Sequence, residues 1–538
     1  MQLTKSDFKT ARDCPAKLYY KKLRYPSTAR ENRYLEYLAN AGFVVEKIAQ
    51  LLFPDGAEPA FDLGDAQGAA AATREWLART ETGTLFEAVF LWEAYFARVD
   101  ILRKEGRRLR LIEVKSASVD GEESDPLHTT RGGVRSEWKP YVEDALYQAE
   151  LLSRAAPEYQ IRPVLCLVDK AKTASPNWVA ERFTLDPPAP GDRSGRARIG
   201  YDGDPAQLSE DHPLVFIDLY DDWQALGPGL WEAAEEFAAS LAGEGAPRKL
   251  PAPLGPHCKE CEYRYHPAED YGTPGIRDGF FECWGPMAAE PYHIIDLYRA
   301  ESFGGKKNQV IARRAAEGRG DVRQLDPELA TGSYARRQRI QIECTRAGRE
   351  HIGPELPGIL AGHAYPLYFV DFEAVRTAVP YYPGLHPFDQ ICFQWSCHII
   401  DAPGAEARHA EWPAPGSTYP NVDFARSLMD CVGVGPGTVY VWSAFESTAL
   451  REIRRQIDQL GLEAQAADIL PWLDAMIEGS SPRIVDLEKL AKEHYFHPEM
   501  RGSTSIKYVL PAVLAAGGQP ENPYDSLPPV ELADGTIV

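Results

Sequence analysis

The stretch RVDILRKEGRRLRLIEVKS, residues 98–116, decides how this chain is read. Asp100 falls at the end of a run of strand formers starting near residue 86, and Glu113-Val114-Lys115 lies on a second run, 108–116. Lys104-Glu105-Gly106-Arg107 supplies the turn between them. Strand side chains repeat every second residue, so Glu113 and Lys115 share a face. Two carboxylates on adjacent strands suit a hard divalent cation, with Mg²⁺ the natural choice. A lysine beside them can orient or deprotonate an attacking water and stabilise charge at phosphorus. A Glu-x-Lys triplet alone is also what many surface hairpins carry, so its surroundings have to decide.

Outward from this stretch, residues 30–52 read as an amphipathic helix carrying Glu46, and 138–154 as a helix carrying Asp144-Ala-Leu-Tyr147-Gln148. Arg162–Val168 reads as an apolar strand, and Ser6 is placed to cap a short helix ending near Cys14-Pro15. Residues 183–215, rich in Pro, Gly and Asp, look like an exposed insertion or hairpin, and 246–257 has the composition of an irregular loop. Strands and helices mixed in this way indicate an α/β or mixed α+β class. The order Asp, short hairpin, Glu-x-Lys resembles the RecB-like branch of the PD-(D/E)XK nucleases. The resemblance implies a restriction-endonuclease-like core in which Asp100, Glu113 and Lys115 form a cutting centre with Mg²⁺ or Mn²⁺. It also implies that Glu46 is an upstream metal ligand and that Gln148 stands on the helix that follows. The branch places a tyrosine three or four residues after that glutamine. Leu151 and Leu152 stand there instead, which leaves Tyr147 or Tyr141 as substitutes.

Cys258-Lys-Glu-Cys261 is a CxxC pair, with Cys283 further on. A CxxC alone is ambiguous between zinc, a redox pair and an iron–sulfur ligand pair. The distinguishing residue is Cys14, in Cys14-Pro15-Ala16-Lys17-Leu18-Tyr19-Tyr20. An N-terminal Cys-Pro followed by an aromatic pair, with three later cysteines bracketing a RecB-like nuclease, resembles the iron–sulfur nucleases. These include the CRISPR-adaptation exonuclease and the AddB-type nuclease domain. The resemblance implies that Cys14, Cys258, Cys261 and Cys283 hold a 4Fe-4S cluster stapling the ends of the domain, with zinc as the alternative. The gap from Cys261 to Cys283 is longer than those families usually show. Cys166, Cys344, Cys392, Cys397 and Cys431 read as buried small hydrophobes.

A second set of acids begins at Tyr368-Phe-Val-Asp371-Phe-Glu373, an apolar strand ending in Asp-x-Glu. A candidate strand 389–399, helix 421–431, strand Val439–Trp442 and helices 446–460 and 484–494 follow, with Glu446 opening the first of those last two helices. Three acids on neighbouring elements suit the paired metals of an in-line phosphoryl displacement. This order resembles the DnaQ-like (DEDD) 3′–5′ exonucleases on the ribonuclease-H fold. The phrases Val370-Asp-Phe-Glu-Ala374, Gln394-Trp-Ser-Cys-His398 and Gly502–Pro511 resemble, more closely, an uncharacterised bacterial domain fused behind RecB-like nucleases. The resemblance makes Asp371, Glu373 and Glu446 the first three acids, with Asp486 a structural strand-end aspartate. Lys507 reads equally as a phosphate contact or as cover for its helix. No Tyr-x-x-x-Asp or His-x-x-x-x-Asp motif follows Pro511, so the domain is expected to lack its last acid.

These readings divide the 538 residues into 1–290, a nuclease domain with its cysteine staple; 291–361, a basic helical connector; and 362–538, the DnaQ-like domain. Of these, 44% are hydrophobic and 25% charged, which is ordinary for a globular chain and excludes disorder. The start lacks the apolar core of a secretory signal, and no run approaches the ~18 apolar residues of a membrane span. Nine cysteines without such a signal point to a reducing cytoplasm. The net charge of −21 argues against a chain coated in nucleic acid. Local basic stretches oppose that: Lys5 to Arg33, and Arg299 to Arg349 with Arg336, Arg337 and Arg339, the latter a nucleic-acid contact or simply a solvated connector. Tyr19, Tyr20, Trp92 and Trp138 suit either base stacking or core packing.

The expectation is a metal-dependent DNA nuclease acting at ends or on single strands in genome maintenance or defence, with a protein partner in a repair or defence complex. Two alternatives stand beside it. One is a non-catalytic nucleic-acid-binding scaffold with a structural cluster, and the other is a 3′–5′ exonuclease on DNA or RNA using the C-terminal acids.

Overall fold

The strands on either side of Glu113 belong to a mixed sheet in the first of two units. A computed structural model describes residues 1–30, 33–58, 64–187, 197–307, 309–477 and 483–517. The expected absence of a last acidic motif concerns, beyond residue 517, positions outside the described residues. The first unit comprises Met1–Ala252, Ala374–Ile391 and Arg455–Ala464; the second comprises Pro253–Glu373, Cys392–Arg454 and the chain from Gln465 onward. The first division thus falls in the irregular loop 246–257 rather than at residue 290.

In the first unit the chain runs through β1 (Leu3–Thr4), α1 (Lys5–Asp13), α2 (Pro15–Lys22), α3 (Arg33–Leu51), β2 (Gly56–Ala57) and α4 (Ala66–Arg79). It continues through β3 (Thr82–Trp92), β4 (Tyr95–Glu105), β5 (Arg108–Val119), α5 (Lys139–Ala155) and β6 (Gln160–Asp169). Then come β7 (Phe183–Asp186), β8 (Arg198–Tyr201), α6 (Pro205–Glu210), β9 (Leu214–Asp218) and α7 (Tyr220–Ser240). The sheet order is β2-β3-β4-β5-β6-β9, with β1 added beside β4. Strands β3, β4 and β5 form an antiparallel meander, whereas β5 and β6 are parallel. A parallel pair needs a long crossover, and α5 supplies it.

The run 86–101 is not one strand but parts of β3 and β4, folded back at Glu93-Ala94, where Glu93 takes φ +50°. Trp92-Glu93-Ala94-Tyr95 has no Asn-Gly or Gly signal, so the turn is invisible to pattern reading. Asp100 therefore lies in the middle of β4, not at a strand end. At the other end, Thr4 rather than Ser6 caps α1, in a capping box with Asp7. The insertion does contain a hairpin, β7–β8, but its last residues enter β9, a strand of the main sheet.

Helix α5 is buried all along Val142–Leu152, polar residues included. Phe8 of α1 stacks on Tyr147 of α5 with ring centroids 4.5 Å apart, and the Tyr147 hydroxyl donates to the Leu3 carbonyl at 3.0 Å. These contacts fasten the N-terminal residues to the middle of the unit. Tyr20 is buried, and Trp92 packs beside Tyr95 and Trp231, so both are core aromatics.

The second unit contains α8 (Gly279–Trp284), α9 (Val310–Ala316), α10 (Ala335–Ala347), β10 (His351–Ile352) and α11 (Leu356–Ala361). These precede β11 (Leu367–Arg376), β12 (Gln390–Ile400), β13 (Arg408–Pro413), α12 (Asn421–Val432), β14 (Thr438–Val441) and α13 (Phe445–Gln459). The remainder is α14 (Leu470–Ile477), β15 (Ile484–Asp486), α15 (Leu487–His494), β16 (Tyr495–Phe496) and α16 (Ile506–Ala516). Its larger sheet has the order β13-β12-β11-β14-β15, with β11, β14 and β15 parallel and β13 antiparallel to β12. The expected helix 484–494 begins as β15 and becomes helical only after Asp486 caps α15.

Segment 291–361 is not a solvated connector. Ile294, Ile295, Phe303, Val310 and Ile342 form a core with Phe280 and Trp284. The arginines of α10 satisfy carbonyls: Arg337 is buried and donates to the Tyr495 carbonyl, Arg336 to that of Glu493 at 2.7 Å, and Arg346 to that of Leu325 at 2.7 Å. Among the described residues, no helix is long and apolar enough to cross a membrane. Chain class is therefore mixed α+β.

His293 sits in that core, its ring centroid 4.4 Å from Trp284 and 5.4 Å from Phe280, with Nδ1 accepting from the Ile295 N–H at 3.2 Å. Burial, and then Arg264, push its pKa down to about 3. The fold keeps the imidazole neutral, whereas the unfolded chain protonates it below about pH 6.5. Its contribution is thus present above that pH and is lost as pH falls toward 3. Urea unfolding between pH 7 and 4 should show a shallower acid loss in His293→Gln than in the wild type.

Candidate active site

The β4–β5 ladder runs as far as Ile101↔Ile112. One step further, Asp100 and Glu113 would face each other. There the Asp100 side chain replaces the backbone ladder, Oδ2 accepting from the Val114 N–H at 2.8 Å. On its other side β5 pairs with β6 through Val114, loses register, and resumes at Ser118. Glu113-Val114-Lys115 therefore sits where β5 parts from β4 and bulges against β6, a common device for aiming side chains.

Glu113 is fully buried, at 0% exposure. An ionised carboxylate in that position must be paired and hydrogen-bonded. Lys5 reaches its two oxygens at 2.9 and 3.1 Å, Lys115 donates to Oε1 at 2.5 Å, and Gln148 Nε2 donates to Oε2 at 2.7 Å. Lys115 also meets Asp144 at 2.7 Å, and Lys5 lies 3.7 Å from Asp100. Burial works against every one of these charges; for Glu113, Lys5 and Lys115 the opposite charges outweigh it, whereas for Asp100 and Asp144 they do not. Glu113 is held below the usual carboxylate range by Lys115, Lys5 and Gln148. Both ammonium groups stay above the ordinary lysine value through Glu113, Asp100 and Asp144. Asp100 is pushed up to about 6, first by burial and then by Glu113. Asp144 is raised for the same two reasons.

Asp100, Glu113, Lys115 and Gln148, all singled out in the sequence, thus meet in one cluster. Glu46 lies on α3, which packs on β5, and its carboxylate accepts from Gln50 at 3.2 Å. Two members were missed. Asp144 precedes Gln148 by one helical turn, an i,i+4 spacing that places both on one face and could have been noticed. Lys5 carried no signal beyond its basic neighbourhood.

The donor set suits a hard cation such as Mg²⁺ or Mn²⁺. Asp144 Oδ1 and Gln148 Oε1 are buried acceptors without a hydrogen-bond donor, which accords with a cation nearby. Among the described residues, no three His, Cys, Asp or Glu side chains already form a cage; Lys5 pairs with both Asp100 and Glu113, and Lys115 with Glu113 and Asp144.

In the second unit, Asp371 and Glu373 stand exposed on one face of β11, with Phe372 buried on the other. Glu446 opens α13; burial first, then the negative charges of Asp371 and Asp486, push its carboxyl up to about 7. Its Oε2 is a buried acceptor without a donor. Asp486 caps α15 through the Lys489 N–H at 3.0 Å and accepts from the Ser443 N–H at 3.1 Å, where Ser443 takes φ +84°. It fixes the strained turn that leads β14 into α13. Lys507 is exposed.

Cys258 and Cys261 share one short 3₁₀ turn, the Cys261 N–H donating to the Cys258 carbonyl at 3.3 Å. Cys283 lies on α8, and Cys258 and Cys283 both pack against the Phe280–Trp284 core. Cys14, in the first unit, is the joint between α1 and α2. All four are half-buried. Cys166, Cys344, Cys392 and Cys397 are buried, whereas Cys431 is only half-buried. Its thiol, hydrogen-bonded to Cys397, is pulled down to about 7.

Residues 368–505 match a family described as a domain of unknown function (DUF2779). That span runs from β11 to the foot of α16 and includes Asp371, Glu373, Glu446 and Asp486. No curated protein and no solved structure matches the chain.

Two measurements probe the buried cluster. Gln148→Leu removes a donor from Glu113 and should cost about 1.5–3 kcal/mol in urea unfolding, the range for a hydrogen bond to a charged group. Asp100 has a raised pKa, so its contribution is complete below the ordinary carboxylate pKa and is lost as pH rises through about 6. With chelator present, Asp100→Asn should abolish that part of the pH dependence between pH 4.5 and 7.5.

Proposed function

We propose that this protein is a metal-dependent nuclease that hydrolyses DNA phosphodiester bonds at ends or on single strands, with its cutting centre in the first unit. The observation that carries this reading is the meeting of Asp100, Glu113, Lys115 and Gln148 in a single cluster around the fully buried Glu113. The antiparallel β4–β5 hairpin, the parallel β5–β6 pair and the crossover α5 support a restriction-endonuclease-like core. Asp100 and Glu113 would hold Mg²⁺ or Mn²⁺. When bound, the cation supplies Lewis-acid polarisation and an acidified water. Lys115, fixed by Glu113 and Asp144, orients the attacking water and faces the charge that develops at phosphorus. Gln148 holds Glu113 in the orientation that keeps Lys115 in place.

Cys14, Cys258, Cys261 and Cys283 are the candidate ligands of a 4Fe-4S staple, with zinc the alternative. Their half-buried thiols have the right donor chemistry. Iron, sulfide and zinc analysis of anaerobically purified protein discriminates the two. The setting in this reading is the cytoplasm, in genome maintenance or defence, with a protein partner in the same complex.

A second reading places a 3′–5′ exonuclease, on DNA or RNA, in the second unit. It is favoured by the closeness of Asp371 and Asp486 to the buried Glu446 carboxyl. The sheet with β11 at its centre is compatible with a ribonuclease-H-type, DnaQ-like core.

End-labelled single- and double-stranded DNA, with Mg²⁺ or Mn²⁺, separates these readings. Lys115→Ala should lower cleavage by about 10²-fold or more with its circular dichroism unchanged, whereas Glu373→Ala should leave it intact. The reverse pattern assigns cleavage to the second unit. Binding without cleavage by the wild type overturns both in favour of a scaffold.

A further inference from the structure

Lys5 sits against the same oxygens that a metal at the cutting centre would claim. Its Nζ is 2.9 and 3.1 Å from the Glu113 carboxylate and 3.7 Å from Asp100 Oδ1. An ammonium and a divalent cation repel in a low-dielectric site, and Lys5, which meets both Glu113 oxygens and Asp100, competes with a metal for the oxygens of both acids. Resting on the nuclease reading above, we propose that Lys5 is a tethered counter-cation. It holds the Asp100–Glu113 pair in the metal-free protein and is released as metal loads, so that it sets the metal affinity of the centre.

The main chain of Lys5 is anchored on every side. Leu3 pairs with Tyr95 in the β1–β4 ladder, and its carbonyl accepts from Tyr147. Thr4 and Asp7 close the capping box around Lys5, and Asp7 is itself bound by Lys22 at 2.6 Å. Only the side chain is free to leave. It is 24% exposed, whereas Glu113 is at 0%, so the ammonium has a route to water that the carboxylate lacks.

Lys115 is the less suitable cation to yield. It is shared between Glu113 and Asp144, with Nζ 2.7 Å from the latter. Charge balance points the same way. Asp100, Glu113 and Asp144 exceed Lys5 and Lys115 by one negative charge. A divalent cation exchanged for Lys5 brings the cluster to neutrality, whereas one added beside Lys5 leaves an excess positive charge.

The test is Mn²⁺ binding by calorimetry in the full chain, with Asp371→Asn and Glu446→Gln present to silence the second acid set. Lys5→Met, which keeps length and removes charge, should bind Mn²⁺ about tenfold more tightly, equivalent to about 1.4 kcal/mol. Lys5→Arg should stay near the parent. A second measurement needs no Lys5 variant: acetylation of the wild type by an amine-reactive ester, read by mass spectrometry. Saturating Mn²⁺ should raise labelling at Lys5 and leave Lys115 unchanged. Equal affinities for Lys5→Met and the parent, or Lys5 labelling indifferent to Mn²⁺, overturn the proposal and leave the nuclease reading standing. Failure of Mn²⁺ to bind either protein overturns both.

Discussion

The first unit depends on one buried ion, the Glu113 carboxylate. Removing such a group from water costs several kcal/mol unless cations and donors surround it. The three that do so come from separate parts of the chain: Lys5 from α1, Lys115 from β5 and Gln148 from α5. Their convergence ties the N-terminal helix, the central strand and the crossover helix to a common point. The stacking of Phe8 on Tyr147 fixes two of the same elements, α1 and α5. A group needing this much compensation is weak evidence for stability and better evidence for a task that requires charge in a dry place.

The second unit places its charges differently. Asp371 and Glu373 are exposed on β11, and Glu446, near Asp371, is buried. Its buried polar groups are largely structural. Arg337 donates to carbonyls around β16, and Asp486 holds the turn from β14 into α13. Ser443, where φ is +84°, lies three residues before Glu446, in the turn that Asp486 holds.

Much of this was legible along the chain because it rests on local periodicity. The strand alternation in 108–116 placed Glu113 and Lys115 on one face, and their Nζ–Oε1 distance of 2.5 Å agrees. Helix α5 lies one residue from its expected bounds. What failed was chemistry without a local marker. Trp92-Glu93-Ala94-Tyr95 turns without glycine, so a hairpin was read as one strand. The arginines of 335–347 looked solvated because sequence shows their charge and not the carbonyls that satisfy it.

By itself, the sequence determined the mixed α+β class, the acids on β4, β5 and β11, and which strands were apolar enough to be buried, since residue type and spacing within one element settle these. Only the tertiary structure decided that the Lys5 ammonium and the Gln148 amide meet Glu113. Lys5 is 108 residues from Glu113 and Gln148 is 35. No period connects them, and only the pairing of β1 with β4 and the crossover α5 bring them within hydrogen-bond reach. Electrostatic pairing across such separations is a property of the fold, because a buried charge selects its partner by distance in space and not along the chain.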